Sequence, residues 1–211
     1  MLLQLYKSLR RQFGPQSNWW PADSGPLRKW EICIGALLTQ NTNWKNVEKA
    51  LANLKAAKVL APQRIATMPL PKLQALIRPS GFYRQKAARL KALAKFALSF
   101  DSLNDFFKTA TREQLLAIKG IGPETADSIL LYACGKPYFI VDAYTRRTLA
   151  RMKFISGKES YGGLQNMFHA ALPRSVRLYK DFHALIVEHA KRSCKKKPEC
   201  GTCGLKCPSR T

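Results

Sequence analysis

The segment over residues 113–133, EQLLAIKGIGPETADSILLYA, constrains the fold of this chain more than any other stretch. Its apolar spacing predicts a short helix, a tight turn and a second helix. In the turn, Gly120 and Gly122 flank Ile121, so the backbone can bend sharply and approach another group closely. Backbone N–H groups at such a turn can bind a phosphate, whereas Ile121 is expected to pack into the helix pair. An ordinary helix–helix turn can also contain Gly-x-Gly, but it does not require so long a flanking pattern.

Helical periodicity recurs along the rest of the chain and predicts an all-α fold. Thr111 and Gln114 have the spacing of a capping box, and Pro123 suits the first turn of the second hairpin helix. Only Tyr138–Val141 is a candidate for a brief extended segment. The other predicted helices cover residues 28–38, 43–54, 73–77, 83–100, 103–108, a stretch after Asp142, and 178 to about 191.

The charge balance predicts a polyanionic partner. Among 211 residues, 36 Lys and Arg stand against 13 Asp and Glu, for a formal net charge of +23, while 46% of residues are apolar. This composition excludes intrinsic disorder, and basic residues spread along the chain suit a broad phosphate-facing surface. The longest apolar stretches, such as Ile32–Leu38, are too short to cross a bilayer, and charges interrupt Met1–Phe13. We therefore expect an intracellular protein with neither a signal peptide nor a membrane partner.

Several blocks of residues extend the hairpin pattern over nearly the whole chain. They are Leu37–Thr42, Gly81-Phe82-Tyr83 with Lys86-Ala87, Gly135-Lys136-Pro137, Val141-Asp142 and the cysteine-rich C-terminus. Together with the hairpin they resemble the endonuclease III superfamily of DNA glycosylases, in which a Gly/Pro-rich loop and an essential aspartate follow the helix-hairpin-helix. The resemblance covers residues from about Arg28 to Cys207.

The resemblance implies a two-lobed helix-hairpin-helix fold with a cleft between the lobes and Asp142 near their junction. A six-helix lobe would span residues 26–136 and contain the hairpin. Residues 1–25 and 137–211 would form the second lobe, with a cysteine cluster at 194–207. Such a protein is expected to act as a monomer on damaged double-stranded DNA, in the cytoplasm and associated with the nucleoid.

The same resemblance assigns the chemistry to Asp142. The family hydrolyses the N-glycosidic bond of a flipped-out base, and an ionised carboxylate stabilises the positive charge that develops on the sugar. The position also suits a helix N-cap, which favours the same ionised form. Bifunctional members carry a nucleophilic lysine where this chain has Glu124, and a glutamate cannot form a Schiff base. We expect a monofunctional glycosylase of base excision repair that uses water, since Lys119 lies on the other side of the turn.

The residues from Glu124 onward look most like the 3-methyladenine branch of the superfamily, which implies an aromatic base pocket. An alkylated purine is cationic and already a good leaving group, so stacking and cation–π attraction can recognise it. By this match Trp19 and Trp44 would sandwich the base, with Trp20 in reserve and Glu124 nearby. Trp20 otherwise fits a position in the core.

The resemblance also nominates residues for DNA contact. Gln40 matches the residue that fills the gap left by the flipped base, although a glutamine inside a helix can also lack such a role. The hairpin residues expected to contact the backbone of the DNA are Lys119, Gly120, Ile121 and Gly122.

Cys194, Cys200, Cys203 and Cys207 lie close together near the C-terminus. In a reducing compartment such a cluster indicates a metal site rather than disulfides, and four thiolates suit either zinc or an iron–sulfur cluster. The resemblance implies one four-iron, four-sulfur cluster that joins the tail to the body. The first and last gaps depart from the family spacing, so zinc remains the alternative. The remaining cysteines and the three histidines, which lack metal-ligand spacing, are expected to be structural: Cys33, Cys134, His169, His183 and His189.

Two other functions remain open from the sequence. The same fold could excise uracil or thymine from mismatches, or oxidised pyrimidines, and replacement of Trp44 would then matter less. Alternatively, the protein could bind damaged or branched DNA without cleaving it, and Asp142→Asn would distinguish this case because it would remove only a catalytic activity.

Overall fold

A computed structural model describes residues 1–17, 19–205 and 207–208, and within these ranges all regular structure is helical. The predicted all-α fold is therefore confirmed, and Tyr138–Val141 forms no strand. In the described part of the chain, no helix combines the length and the apolar character needed to cross a bilayer. The α-helices are α1 (Leu2–Phe13), α2 (Arg28–Leu38), α3 (Trp44–Ala56), α4 (Pro62–Thr67), α5 (Leu70–Ile77), α6 (Tyr83–Ala97), α7 (Leu103–Thr109), α8 (Arg112–Leu116), α9 (Pro123–Ser128), α10 (Ala143–Arg151), α11 (Tyr161–Ala171) and α12 (Val176–Arg192).

The chain divides into two compact units. The first contains the described residues of 1–19 and 136–211, and the second contains residues 20–135. Helices α1 and α10 to α12 belong to the first unit, and α2 to α9 to the second.

Helix α2 forms the centre of the second unit. Every residue from Trp30 to Leu38 is buried, and the helix contacts α3, α6 and α9. The indole of Trp30 donates a hydrogen bond to the Leu60 carbonyl at 2.8 Å, so its polar atom is satisfied inside the core. Because α2 is buried almost all round, its ends are fixed by packing.

Helix α12 has the corresponding place in the first unit, where it packs against α1 and α10. Phe139 stacks on Phe168 with ring centroids 3.7 Å apart, and Phe182 lies edge-on to both rings. Asp181 of α12 accepts a hydrogen bond from the Tyr6 hydroxyl at 2.7 Å, which holds α1 against α12.

The predicted hairpin is present in the second unit. Helix α8 begins with the expected capping box of Thr111 and Gln114, and α9 begins at Pro123. Gly120 has a φ of +90°, a value that favours glycine, and the side chain of Ile121 is buried. The second hairpin helix reaches Ala133 as predicted, but over Ile129–Ala133 it is a π-helical turn and no longer an α-helix.

Candidate active site

Asp142 caps the N-terminus of α10, as its position in the sequence predicts. Its Oδ1 accepts a hydrogen bond from the backbone N–H of Thr145 at 2.7 Å, and its Oδ2 lies 3.5 Å from Nε2 of His183. Burial by itself would raise the pKa of Asp142, but the interaction with His183 and the hydrogen bond from Thr145 outweigh it and lower the pKa. The carboxylate is therefore ionised at neutral pH.

His183 is a residue whose place in this site the sequence does not reveal. It belongs to α12, is buried, and was expected only to support the core. Trp19 lies edge-on against its imidazole with ring centroids 5.6 Å apart. The Trp19 indole donates to Oε1 of Glu188 at 3.2 Å, and Nζ of Lys191 lies 5.6 Å from the centroid of the Trp19 ring. Thus Trp19 contacts the histidine that faces Asp142.

An aromatic cluster in the second unit consists of Trp20, Trp44 and Tyr132. Trp20 lies 5.5 Å from Trp44 at an interplanar angle of 81°, and 4.8 Å from Tyr132. Both indoles approach the backbone of α2 at Gly35, where an added Cβ would lie 3.2 Å from Cη2 of Trp44 and 3.4 Å from Cζ2 of Trp20. Within this unit the ring next to Trp44 is therefore Trp20, the residue held in reserve, whereas Trp19 lies in the other unit.

Gln40 follows α2 and bonds to the hairpin turn. Its amide nitrogen donates to the carbonyl of Gly120 at 3.1 Å and to Oγ1 of Thr125 at 2.9 Å. Its amide oxygen accepts from Nη1 of Arg89, in α6, at 2.7 Å. The structure thus joins Gln40 to the turn that the sequence predicts for phosphate contact.

The other nominated hairpin residues differ in their accessibility. Lys119, Gly120, Gly122 and Glu124 are exposed. Ile121 is buried, and its N–H donates to the Ile118 carbonyl at 3.0 Å within the turn. Ile121 therefore shapes the turn from beneath.

Lys86 is a buried cation near Gln40 that the sequence shows only as part of a matching block. Its ammonium group donates to the carbonyl of Leu38 at 2.8 Å, at the end of α2, and to that of Ser80 at 2.6 Å. Burial and, to a lesser extent, the nearby charge of Arg89 together lower the pKa of Lys86 to about 8. One side chain thus fixes the starts of two loops, since helix C-terminal carbonyls attract a cation.

The four C-terminal cysteines line one cavity of about 80 Å³ in the first unit, together with Arg151 and His189. Nδ1 of His189 is buried and has no hydrogen-bond partner among the residues that the structure describes. Across 1–17, 19–205 and 207–208, no three His, Cys, Asp or Glu side chains are arranged to hold a single metal ion. The four cysteine side chains thus line the cavity and do not converge on a single point.

Helix α10 contacts this cysteine region through two arginines one turn apart. Arg147 donates to the carbonyl of Cys194 at 2.8 Å. Arg151 donates to Sγ of Cys194 at 3.3 Å and to the carbonyl of Lys195 at 2.6 Å, and its own carbonyl accepts from the Cys207 thiol at 2.9 Å. Helix α10, whose N-terminus is capped by Asp142, therefore contacts the cysteine region near its C-terminus.

Comparison with known proteins identifies the family. Residues 34–174 match the HhH-GPD superfamily of base excision DNA repair proteins. The chain belongs to the HhH-GPD superfamily. A protein of Methanocaldococcus jannaschii named "Putative DNA repair glycosylase MJ1434" is 44% identical over 98% of this chain and 94% of its own. A thymine/uracil-DNA glycosylase of Pyrobaculum aerophilum is 28% identical over 92% of this chain and 84% of its own.

Solved structures agree with this assignment. The 3-methyladenine DNA glycosylase of H. pylori, bound to 1,N6-ethenoadenine, aligns with a TM-score of 0.76 and 35% identity over 90% of this chain and 97% of its own. A non-covalent endonuclease III–DNA complex aligns with a TM-score of 0.82 and 22% identity over 99% and 96%, which shows a shared fold. The resemblance to the endonuclease III superfamily and the expected DNA glycosylase activity are confirmed.

Proposed function

We propose that this HhH-GPD glycosylase releases alkylated purines such as 3-methyladenine from damaged duplex DNA. The observation that carries the proposal is the aromatic cluster of Trp20, Trp44 and Tyr132. Electron-rich rings attract a cationic base by stacking and cation–π interaction, without the polar groups needed to read a pyrimidine. The 35% identity to the 3-methyladenine glycosylase of H. pylori supports the same substrate class. Trp19 remains a candidate pocket residue because it contacts His183 beside Asp142.

Asp142 supplies the chemistry in this proposal. Its ionised carboxylate stabilises the oxocarbenium-like charge on the sugar and activates the water that attacks it. The leaving group is a neutral alkylated base, since the positive charge of the base is lost when the glycosidic bond breaks. Glu124, in place of a nucleophilic lysine, leaves no Schiff-base route at that position. The product is then an abasic site in an intact strand.

In this proposal the hairpin and the basic surface hold the DNA. The enzyme acts as a monomer, in the cytoplasm and associated with the nucleoid. The exposed backbone at Gly120 and Gly122 contacts a phosphate, and Lys119 adds a neighbouring charge. Gln40 fills the gap that the flipped base leaves. With a net charge of +23, binding depends steeply on salt because each neutralised phosphate releases counterions.

A four-iron, four-sulfur cluster held by Cys194, Cys200, Cys203 and Cys207 fits the cavity that these residues line. Such a cluster takes one thiolate at each iron, so its ligands surround a volume, whereas zinc draws four thiolates to a point. Bound there, it would cross-link the C-terminal segment to the body of its unit. The guanidinium of Arg151 donates to Sγ of Cys194 at 3.3 Å and so holds this sulfur in place.

Chromatography of the bases released from methylated duplex DNA tests the proposed activity. We expect the wild-type protein to release 3-methyladenine, Asp142→Asn to release none while it still binds DNA, and Trp44→Ala to release much less. No base released by the wild type would overturn the alkylpurine assignment. Strand cleavage at the abasic site without added base would overturn the monofunctional mechanism.

The second candidate function is excision of thymine or uracil from mismatches, as the relative from Pyrobaculum aerophilum suggests. The same assay on duplexes with a single G·T or G·U pair separates the two functions. Release of the pyrimidine with no release of methylated purine would favour this candidate.

A further inference from the structure

Arg89 contacts both Gln40 and the hairpin turn, yet the sequence gives it no role. Its Nη1 donates to Oε1 of Gln40 at 2.7 Å, and Nη2 lies 3.4 Å from Oε1 of Gln85. Among the described residues, no carboxylate lies within ion-pair distance of this guanidinium. The partners of this cation are thus neutral amide oxygens.

The side chain of Arg89 also lies directly against the turn. A Cβ added at Gly120 would lie 2.2 Å from Nε of Arg89 and 2.7 Å from its Cδ. A side chain at position 120 would therefore both strain the φ of +90° and displace the side chain of Arg89.

These contacts fix the orientation of the Gln40 amide. A glutamine amide can rotate by half a turn and exchange its oxygen and nitrogen. Only one orientation lets the oxygen face Arg89 while the nitrogen faces the carbonyl of Gly120, because a guanidinium donates and never accepts. The carbonyl of Gly120 favours the same orientation, and the stronger hydrogen bond from the charged donor Arg89 holds the amide in it.

We propose that Arg89 is a positioning residue that holds Gln40 against the hairpin turn, so that gap filling and phosphate contact occur at one rigid surface. The inference rests on the proposed role of Gln40 in filling the gap in the DNA. Lys86, one turn earlier on α6, fixes the backbone before Gln40 through the Leu38 carbonyl. Helix α6 thus positions both the main chain and the side chain of this segment.

The test is a double-mutant cycle on DNA binding by the full-length protein. The variants are Arg89→Met, Gln40→Ala and their combination, with Lys95→Met as a control that removes one charge from the same helix. The probe is a duplex with a tetrahydrofuran abasic site, compared with the intact duplex of the same sequence. We measure the preference for the abasic duplex, its salt dependence and the unfolding temperature of each variant.

We expect Arg89→Met and Gln40→Ala each to lower the preference for the abasic duplex about tenfold, the usual loss for a hydrogen bond to a charged group. The double variant should lose no more than either single variant, and Arg89→Lys should recover part of the preference. The salt slope of Arg89→Met should match that of Lys95→Met. Additive losses would overturn the proposal, as would a lowered unfolding temperature with an unchanged preference.

Two further results separate this inference from the proposed function. If Gln40→Ala lowers the preference and Arg89→Met does not, the positioning role of Arg89 is wrong and the gap-filling role of Gln40 stands. If neither variant lowers it, both roles are wrong. The alkylpurine assignment is untouched in either case, because the abasic probe contains no base to recognise.

Discussion

The carboxylate of Asp142 and the imidazole of His183 lie 3.5 Å apart, which places the N-terminus of α10 against a buried position of α12. Oδ1 of the same carboxylate already accepts from the N–H of Thr145. Asp142 is thus held on both oxygens, by its own helix and by a residue far along the chain.

His183→Gln should therefore raise the pKa of Asp142, because the interaction with His183 helps to lower it against the effect of burial. In the proposed mechanism the carboxylate acts in its ionised form, so base release by the variant should fall off at a higher pH on the acid side than in the wild type. Single-turnover rates of base release, measured across the acid range for the wild type and the variant, give the acid limb of each protein directly. An unchanged acid limb would show that His183 does not control the ionisation of Asp142.

Lys86 predicts an unusual dependence of stability on pH. Burial lowers its pKa from 10.5 to about 8, so between these values the unfolded chain binds more protons than the folded protein. The contribution of Lys86 should therefore make the free energy of unfolding rise with pH across this window. The neutral amine of Lys86 still has two N–H groups for the carbonyls of Leu38 and Ser80, so both hydrogen bonds can persist. The free energy of unfolding, measured with urea at both ends of this pH window, should rise in the wild type by more than in Lys86→Met, and the difference is the contribution of Lys86.

Lys86→Met should also lower the free energy of unfolding by about 2 kcal/mol or more, because it leaves two buried carbonyls without their donor. If the variant is as stable as the wild type at neutral pH, the ammonium group does not stabilise these helix ends.

Gly35→Ala tests the aromatic cluster. The added Cβ would lie 3.2 Å from Cη2 of Trp44, so this ring must shift by a few tenths of an ångström, whereas the 3.4 Å distance to Trp20 is an ordinary contact. We expect lower kcat/KM for methylated DNA with little loss of stability, since alanine gains about 1 kcal/mol of helix propensity over glycine. Gly162→Ala in α11 is the matched control, because its Cβ would meet nothing within 4 Å. Equal activity of the two variants would show that the contacts of Gly35 with the aromatic cluster do not affect base recognition.

Arg151→Met should loosen the cysteine region. It removes hydrogen bonds to Sγ of Cys194 and to the carbonyl of Lys195, and we expect a loss of about 1 to 3 kcal/mol in stability. With the proposed four-iron, four-sulfur cluster bound, the purified variant should also retain less iron than the wild type, measured as metal content and visible absorbance. Arg192→Met is the control, since Arg192 lies at the surface, where it pairs with Glu188 and lies over the ring of Phe13. Full iron retention by Arg151→Met would argue against support of the thiolates by this arginine.

Local chemistry made part of this structure predictable. The capping box at Thr111 and Gln114 and the N-cap at Asp142 form as expected, because each joins groups three residues apart. The bounds of α2 also agree with the prediction, because its apolar residues are buried along almost the whole helix. The predicted helices omit α1, α4 and α11. Helix α4 has only six residues and α11 contains two glycines in its first turn, whereas α1 does have helical spacing, since its buried residues Leu2, Leu5 and Leu9 share one face.

Tertiary structure decided the contacts among the candidate site residues. Trp19 and Trp20 are neighbours in the sequence, yet Trp19 contacts His183 in one unit and Trp20 contacts Trp44 in the other. Arg89 reaches Gln40 across 49 positions of sequence. Sequence patterns record spacing along one helix and the chemistry of single residues, so they determined the all-α fold, the hairpin and its caps. Which side chains meet depends on how separate helices pack, and that arrangement exists only in the folded chain.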